Sequence, residues 1–276
     1  DLKTPISRNT EFGVDVNLFG IRASMVYYRE NLKDAFSTSK QVIPFHWTRF
    51  KNLDIVTKPE YINGRIICPS SREGKGGWRI HFEYSDDKGK TWKTTESVPA
   101  ELSVPTQNRK KGGINTDDQE GGEAIKGEGA KPIYAIQPSI LKHKDGKLQI
   151  LCRTRNAQIA TAWSSDNGDT WSKVTLLDVP NNNSGTDAVT MKNGRHVLIY
   201  NNFSTLPGTP KGPRTPLCVA ISEDGISWKP VLTLEDSPIS QYSYPSIIEG
   251  KDGKLHAIYT WRRQRIKYAE IDPLKF

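Results

Sequence analysis

Arg153 closes the apolar run Ile150-Leu151-Cys152, Arg214 directly precedes the run Leu217-Cys218-Val219-Ala220, and Tyr242 and Tyr244 flank Ser243 ahead of a third. Guanidinium groups gathered where strands end suit a carboxylate, because Arg offers a planar fork of donors and stays charged in a partly dry pocket. Lys58, Arg72, Arg155, Asn201, Tyr244 and Arg262 fall at comparable strand ends and join Arg153 and Arg214 as candidate binding residues. Arg262, with Arg263 and Arg265, is equally compatible with a solvated strand end. Asp187, in the Asn-rich stretch before a strand, reads either as a general acid or base or as a cap on backbone donors. An extended strand would point Tyr242 and Tyr244 to one side, and a bend would be needed to separate them. His46, His81, His143, His196 and His256 show no metal-ligand spacing, so neither a metal nor another cofactor is expected.

The elements that must position these residues are legible as repeats. Ser85-Asp86-Asp87-Lys88-Gly89-Lys90-Thr91-Trp92 and Ser164-Ser165-Asp166-Asn167-Gly168-Asp169-Thr170-Trp171 share one pattern, which returns one residue shorter as Ser222-Glu223-Asp224-Gly225-Ile226-Ser227-Trp228. Each reads as a tight hairpin in which Asp and Gly satisfy the turn, hydroxyls bond the backbone and Trp packs on the sheet. Ahead of each lies a strand, an Asn-Gly or Asp-Gly turn and a second strand, as in Ile140-Leu141 through Asp145-Gly146 to Ile150-Leu151. A fourth such pair surrounds Asp252-Gly253, without a recognisable hairpin string after it. Repetition at this period predicts an all-β chain, a β-propeller of four-stranded antiparallel blades.

Four blades are clear, at about residues 54–105, 134–180, 181–237 and 238–276, within one domain over 1–276. Residues 1–50 hold strand-like pieces but no clear repeat, and read as a divergent or truncated N-terminal blade region. The Gly-, Lys- and Glu-rich segment 108–131 cannot bury a core and is expected to be a long loop. Within a blade, the turn after the first strand and the hairpin after the third lie on one face. The entries into first strands and the loops from second to third strands lie on the other, and that face should carry function.

Composition narrows the partners. A net charge of +8 suits an anionic ligand, but its Lys and Arg are scattered, which speaks against nucleic acid. No stretch approaches the roughly 20 apolar residues of a membrane span. Three cysteines without paired spacing argue against a disulfide framework. A monomer is expected.

On the three Asp-containing strings, Gln137-Pro138-Ser139 before Asp145-Gly146, Arg153, Arg214 and Tyr242-Ser243, the chain resembles the sialidase (neuraminidase) superfamily, specifically bacterial proteins with BNR, or Asp-box, repeats. The resemblance covers residues 54–276. It implies a six-bladed propeller and a secreted or periplasmic protein. It also implies exo-hydrolysis of a terminal acidic sugar, sialic acid or a relative, from a complex glycan with retention. Arg153 and Arg214 would then be two of the three arginines that hold the sugar carboxylate, and Tyr242 the nucleophile, a recognised departure from the two-carboxylate scheme. Gln137 falls where the family has the Glu that activates Tyr, and the first Arg and catalytic Asp find no match in residues 1–50. These departures leave open a non-catalytic carbohydrate-binding propeller, or a lyase acting on uronate-containing polysaccharides. With Tyr242 buried between blades, the hydrolase assignment made on these residues, with Tyr242 as nucleophile, would fail, and a hydrolase would need another nucleophile.

Overall fold

The computed structural model describes residues 10–18, 21–29, 54–74, 77–103, 130–205, 211–238 and 241–276. Among them all regular structure is strand, apart from one 3-10 turn at Pro273–Lys275. Four antiparallel sheets follow one another along the chain and pack face to face, as blades of a β-propeller. Blade A comprises Asp54–Val56 and Glu60–Ile62, which both pair the following strand, then Arg65–Gly74, Gly77–Ser85 and Lys93–Thr94. Blade B comprises Ala135–Lys142, Leu148–Thr154, Gln158–Ser164 and Thr175–Pro180. Blade C comprises Asp187–Thr190, His196–Asn201, Leu217–Ser222 and Lys229–Glu235. Blade D has three strands, Tyr242–Glu249, Leu255–Trp261 and Arg265–Ile271, in keeping with the missing fourth string. Near the N-terminus, Thr10–Leu18 pairs with Ile21–Arg29 as a separate hairpin. Most of the segment expected as a loop, and His46, lie outside the described residues, while Lys131 pairs with Ser103 in a two-residue ladder.

Strand alternation divides each blade's side chains between its two neighbours. Along Leu148–Thr154, Leu148, Ile150 and Cys152 pack with Ile67, Ile80 and Phe82 of blade A, whereas Leu151 packs with Leu198, Tyr200 and Ala220 of blade C. A third cluster joins blades C and D through Val197, Ile199, Val219, Ile247, Ala257 and Tyr259. Each fully buried large apolar side chain stabilises the fold by about 1.5–3 kcal/mol. These strands therefore read as continuous apolar runs rather than as simple alternation. Cys68, Cys152 and Cys218 are buried and unbridged within them, and burial pushes the Cys68 thiol up to about 12.

The repeated strings form the expected clasps. In blade B, Ser164 Oγ accepts from Gly168 N at 2.9 Å, Asp166 Oδ1 accepts from Thr170 N at 2.9 Å, and Trp171 Nε1 donates to Gly168 O at 3.2 Å. Blade A repeats these bonds through Ser85, Asp87 and Trp92, and blade C through Ser222, Asp224 and Trp228. Bonds from Thr91 and Ser85 hold the Asp87 carboxyl well below the usual carboxylate range. Arg65, just after the first turn of blade A, reaches Asp86 at 2.6 Å and Asp169 at 2.7 Å. First turns and third-strand hairpins thus share one face, and the candidate residues lie on the other.

Candidate active site

Two first strands begin with the same distortion. In blade B the pairing with Leu148–Thr154 slips between Ile136 and Ser139, and in blade D the pairing with Leu255–Trp261 slips between Ser243 and Ser246. Gln137, at φ 56°, and Tyr244, at φ 51°, sit in these bulges in the left-handed region, each followed by Pro-Ser. Such backbone is costly for a residue with a Cβ and turns the side chain out of the strand's alternation. Both side chains meet over Gly185, whose hydrogen faces them: a Cβ there would stand 3.2 Å from Gln137 Oε1 and 3.2 Å from the Tyr244 ring. The Gln137 Oε1 is buried without a hydrogen-bond partner among the described residues.

Two guanidinium groups converge on the same tyrosine. Arg214, 4 % exposed, lies 5.2 Å from the Tyr244 ring centroid, and Arg153, 6 % exposed, is within electrostatic reach of the same tyrosine. Arg153 Nε donates to Asn183 Oδ1 at 3.0 Å, and its guanidinium stands 5.1 Å from the ring centroid of Trp78, which also carries Arg155 at 4.1 Å. Burial pulls the Arg153 pKa down, Tyr244 and Glu73 oppose that shift, and the neighbouring Arg214 adds to it. Two buried guanidinium groups side by side make this an environment suited to an anion.

The arginines are held by an amide-rich network running across three blades. Asn181 Oδ1 accepts from Thr154 N at 3.3 Å and Asn183 N at 3.1 Å, which fixes the loop after Arg153 to the entry of blade C. Asn182 binds the loop that carries Arg214, through Nδ2 to Pro213 O at 2.6 Å and through its own carbonyl to Gly212 N at 3.0 Å. Arg214 O in turn accepts from Tyr242 N at 3.0 Å. Asn201 Nδ2 donates to Tyr242 O at 3.1 Å and to Pro216 O at 3.2 Å, while its Oδ1 accepts from Ser184. Asn201, expected at the ligand, is instead fully buried in this scaffold.

Other expected residues also land elsewhere. Tyr242 is 1 % exposed and packs between blades C and D with Val197, Val219 and Tyr259, so the nucleophile assignment to Tyr242 fails on geometry. The bend at Tyr244 separates the two tyrosines, and Tyr244 is the one that faces the arginines. Asp187, buried, and Lys58, partly buried, form an ion pair at 3.0 Å, and the Asp187 carboxylate also accepts from Ser139 Oγ at 2.8 Å and Ile247 N at 2.8 Å. Lys58 Nζ donates further to Ala188 O and Ile247 O. All four blades meet in this clamp, which leaves neither group available to a ligand. Arg72 is exposed and alternates away from Ser71, whose hydroxyl accepts from Gln137 N. Arg262 stacks on Trp261 at 4.5 Å and donates to Ser237 Oγ at 3.0 Å, outside the Arg153 and Arg214 pair.

Asn183 and Gly185, in the Asn-rich entry to blade C, complete the site together with Trp78, which did not stand out in the sequence. Trp78 was accessible nonetheless, since it belongs to none of the repeated strings and opens the third strand of blade A on the functional face. Gly77 before it adopts φ 86°, and a Cβ there would run into the Tyr134 ring. No group of three or more His, Cys, Asp or Glu side chains with metal-binding geometry occurs among the described residues.

A repeat-built propeller with a buried arginine pair and a tyrosine at its open strand ends defines the class. Residues 22–257 match the BNR repeat-like domain family, and the chain belongs to that family. It is 23 % identical to the anhydrosialidase of Macrobdella decora over a 311-residue alignment, which takes in 98 % of this chain and 35 % of that protein. The chain therefore spans about a third of the length of this curated relative. Among solved structures it is similar to the NanB sialidase of Streptococcus pneumoniae, with a TM-score of 0.54 and 18 % identity over 80 % of this chain and 30 % of that one. It is likewise similar to the intramolecular trans-sialidase of Ruminococcus gnavus, solved with oseltamivir carboxylate, with a TM-score of 0.52 and 21 % identity over 79 % and 43 % of the two chains. At these identities the solved structures establish the propeller fold.

Proposed function

We propose that this chain carries the active site of an exo-acting glycoside hydrolase that removes a terminal acidic sugar, sialic acid or a relative, from a glycan. The observation that supports this reading best is the convergence of buried Arg153 and Arg214 on Tyr244. The arginines hold the sugar carboxylate, while Tyr244, half exposed and turned out of its strand, attacks the anomeric carbon. A neutral phenol approaches a carbon beside a carboxylate with less repulsion than Asp or Glu would, and the guanidinium groups help its oxygen carry developing negative charge. Gln137 binds rather than reacts, because an amide takes up no proton at neutral pH. Complex glycans of this kind are displayed outside cells, which favours an exported protein; no helix among the described residues is long and apolar enough to cross a membrane.

The amide at Gln137, with an unpartnered buried oxygen, favours one second reading, a propeller that binds acidic glycans without cleaving them. Incubation with aryl α-sialosides, aryl β-glucuronides and mixed acidic glycans, followed by mass analysis, separates the two. Hydrolysis adds the mass of water across the cleaved bond, elimination leaves an unsaturated product, and a binding module returns the glycan unchanged. Unchanged glycan throughout would reject the hydrolase.

A further inference from the structure

We infer that Glu73 is the proton-transferring carboxylate of this site, an inference that rests on the hydrolase reading. A tyrosine nucleophile must give up its proton as it attacks, and Gln137 cannot accept it. Asp187 cannot serve either, since its carboxylate is already bonded to Lys58, Ser139 and the Ile247 amide.

Blade A places Glu73 at the required edge. Arg65–Gly74 pairs with Gly77–Ser85 without a register break, from Ile66 opposite Ser85 to Gly74 opposite Gly77. Alternation along it is therefore strict: Ile67, Ser71 and Glu73 share one face, and Cys68, Ser70 and Arg72 share the other. The first face is the one turned to blade B, because Ile67 and the cross-strand partner of Ser71, Ile80, both pack in the cluster shared with that blade. Ser71 Oγ accepts from Gln137 N at 3.3 Å, at the bulge itself. Two residues further, about 7 Å toward the open end of the strand, comes Glu73. Its cross-strand partner is Trp78, the ring that supports both Arg153 and Arg155. Glu73 thus approaches the arginine pair from blade A while Tyr244 approaches from blade D, and Glu73 and Tyr244 both act electrostatically on Arg153.

In the first half-reaction the Tyr244 oxygen bonds to the anomeric carbon, its proton passes to the Glu73 carboxylate, and the glycosidic oxygen leaves with the bonding pair and takes a proton from water. In the second, water attacks the anomeric carbon and releases Tyr244, which regains its proton from Glu73, and the proton lost by the water neutralises the hydroxide left by the first step. The sum is one glycosidic bond exchanged for one water.

The test is turnover of 4-methylumbelliferyl α-N-acetylneuraminide and 4-methylumbelliferyl β-glucuronide by the 276-residue chain and by Glu73→Gln, Glu73→Ala and Gln137→Ala. We expect Glu73→Gln to lose about 10²–10⁴-fold in kcat with KM changed little, and sodium formate to restore part of the activity of Glu73→Ala. Parental turnover in Glu73→Gln would overturn the role of Glu73 and leave the hydrolase standing. A raised KM with unchanged kcat and no response to formate would also overturn it, since that is the signature of a residue that only positions Arg153. No turnover of either substrate by the parent chain would overturn the hydrolase reading, and the role of Glu73 with it.

Discussion

Gln137 and Tyr244 occupy equivalent bulges in blades B and D, both at positive φ ahead of Pro-Ser, and both pack over the same face of Gly185. This pairing makes Tyr244, and not Tyr242, the tyrosine that faces the arginine pair. Replacing Tyr244 by Phe should abolish hydrolysis, on the order of 10³-fold or more, while leaving binding of an acidic sugar within a few-fold. Tyr242→Phe should keep most of the turnover, because Tyr242 serves the packing between blades C and D. Rates for the two variants on one aryl glycoside decide the matter, and loss of turnover in Tyr242→Phe alone would reverse the assignment.

Arg153 and Arg214 are nearly dry, so their contribution to binding should resist salt in a way that exposed charges do not. Arg214→Ala or Arg153→Ala should weaken a sugar carboxylate by about 2–4 kcal/mol, or some 30- to 1,000-fold, with little effect on the corresponding methyl ester. Calorimetric titration with a methyl uronoside and with its ester provides the comparison. Equal losses for acid and ester would mean that the arginines do not read the carboxylate.

The propeller was legible in the sequence because its punctuation is local. Ser, Asp, Gly and Trp of each string bond one another within eight residues, so a single string already dictates its hairpin. Arg153 and Arg214 were legible for a related reason, as polar residues at the borders of apolar runs. Which tyrosine faces these arginines was not. Whether Tyr242 or Tyr244 faces the pocket depends on a bulge that inverts the alternation, and Tyr244 there packs over Gly185, 59 positions away. The choice between the two readings of Asp187 was closed to the sequence for the same kind of reason: its cation is Lys58, 129 positions earlier, and no spacing rule connects the two.

That ion pair carries its own prediction. Lys58 and Asp187 join four blades, and removal of either leaves the other buried among backbone carbonyls or donors meant for an opposite charge. Lys58→Ala and Asp187→Ala should each lower the unfolding free energy by about 3–5 kcal/mol, and the double replacement Lys58→Met, Asp187→Leu should recover part of that loss. Urea unfolding midpoints test this. Single variants as stable as the parent would show that the clamp does not hold the blades.

A separate pH dependence is built into the face of the hairpin strings. His196 is buried, shares its Nδ1 with Thr190 Oγ1 at 2.9 Å and lies 4.4 Å from the His143 ring. Burial first, and His143 and Lys144 after it, depress its pKa to about 4, with Asp224 acting in the opposite sense. The unfolded chain takes up this proton near the ordinary His value of about 6.5. Between those two values the unfolded state binds more protons than the folded one, so stability falls as the pH falls from about 6.5 to about 4, by at most about 3 kcal/mol. Below that window both states are protonated and this contribution changes no further, whereas Asp166 and Asp224, whose folded pKa values are depressed, begin to lose their stabilising bonds only below the ordinary carboxylate value. His196→Asn retains a polar partner for Thr190 and removes the titration. Its unfolding free energy should be nearly flat between pH 6.5 and 4 where the parent declines, and an unchanged slope in urea titrations across that range would assign the decline to other groups.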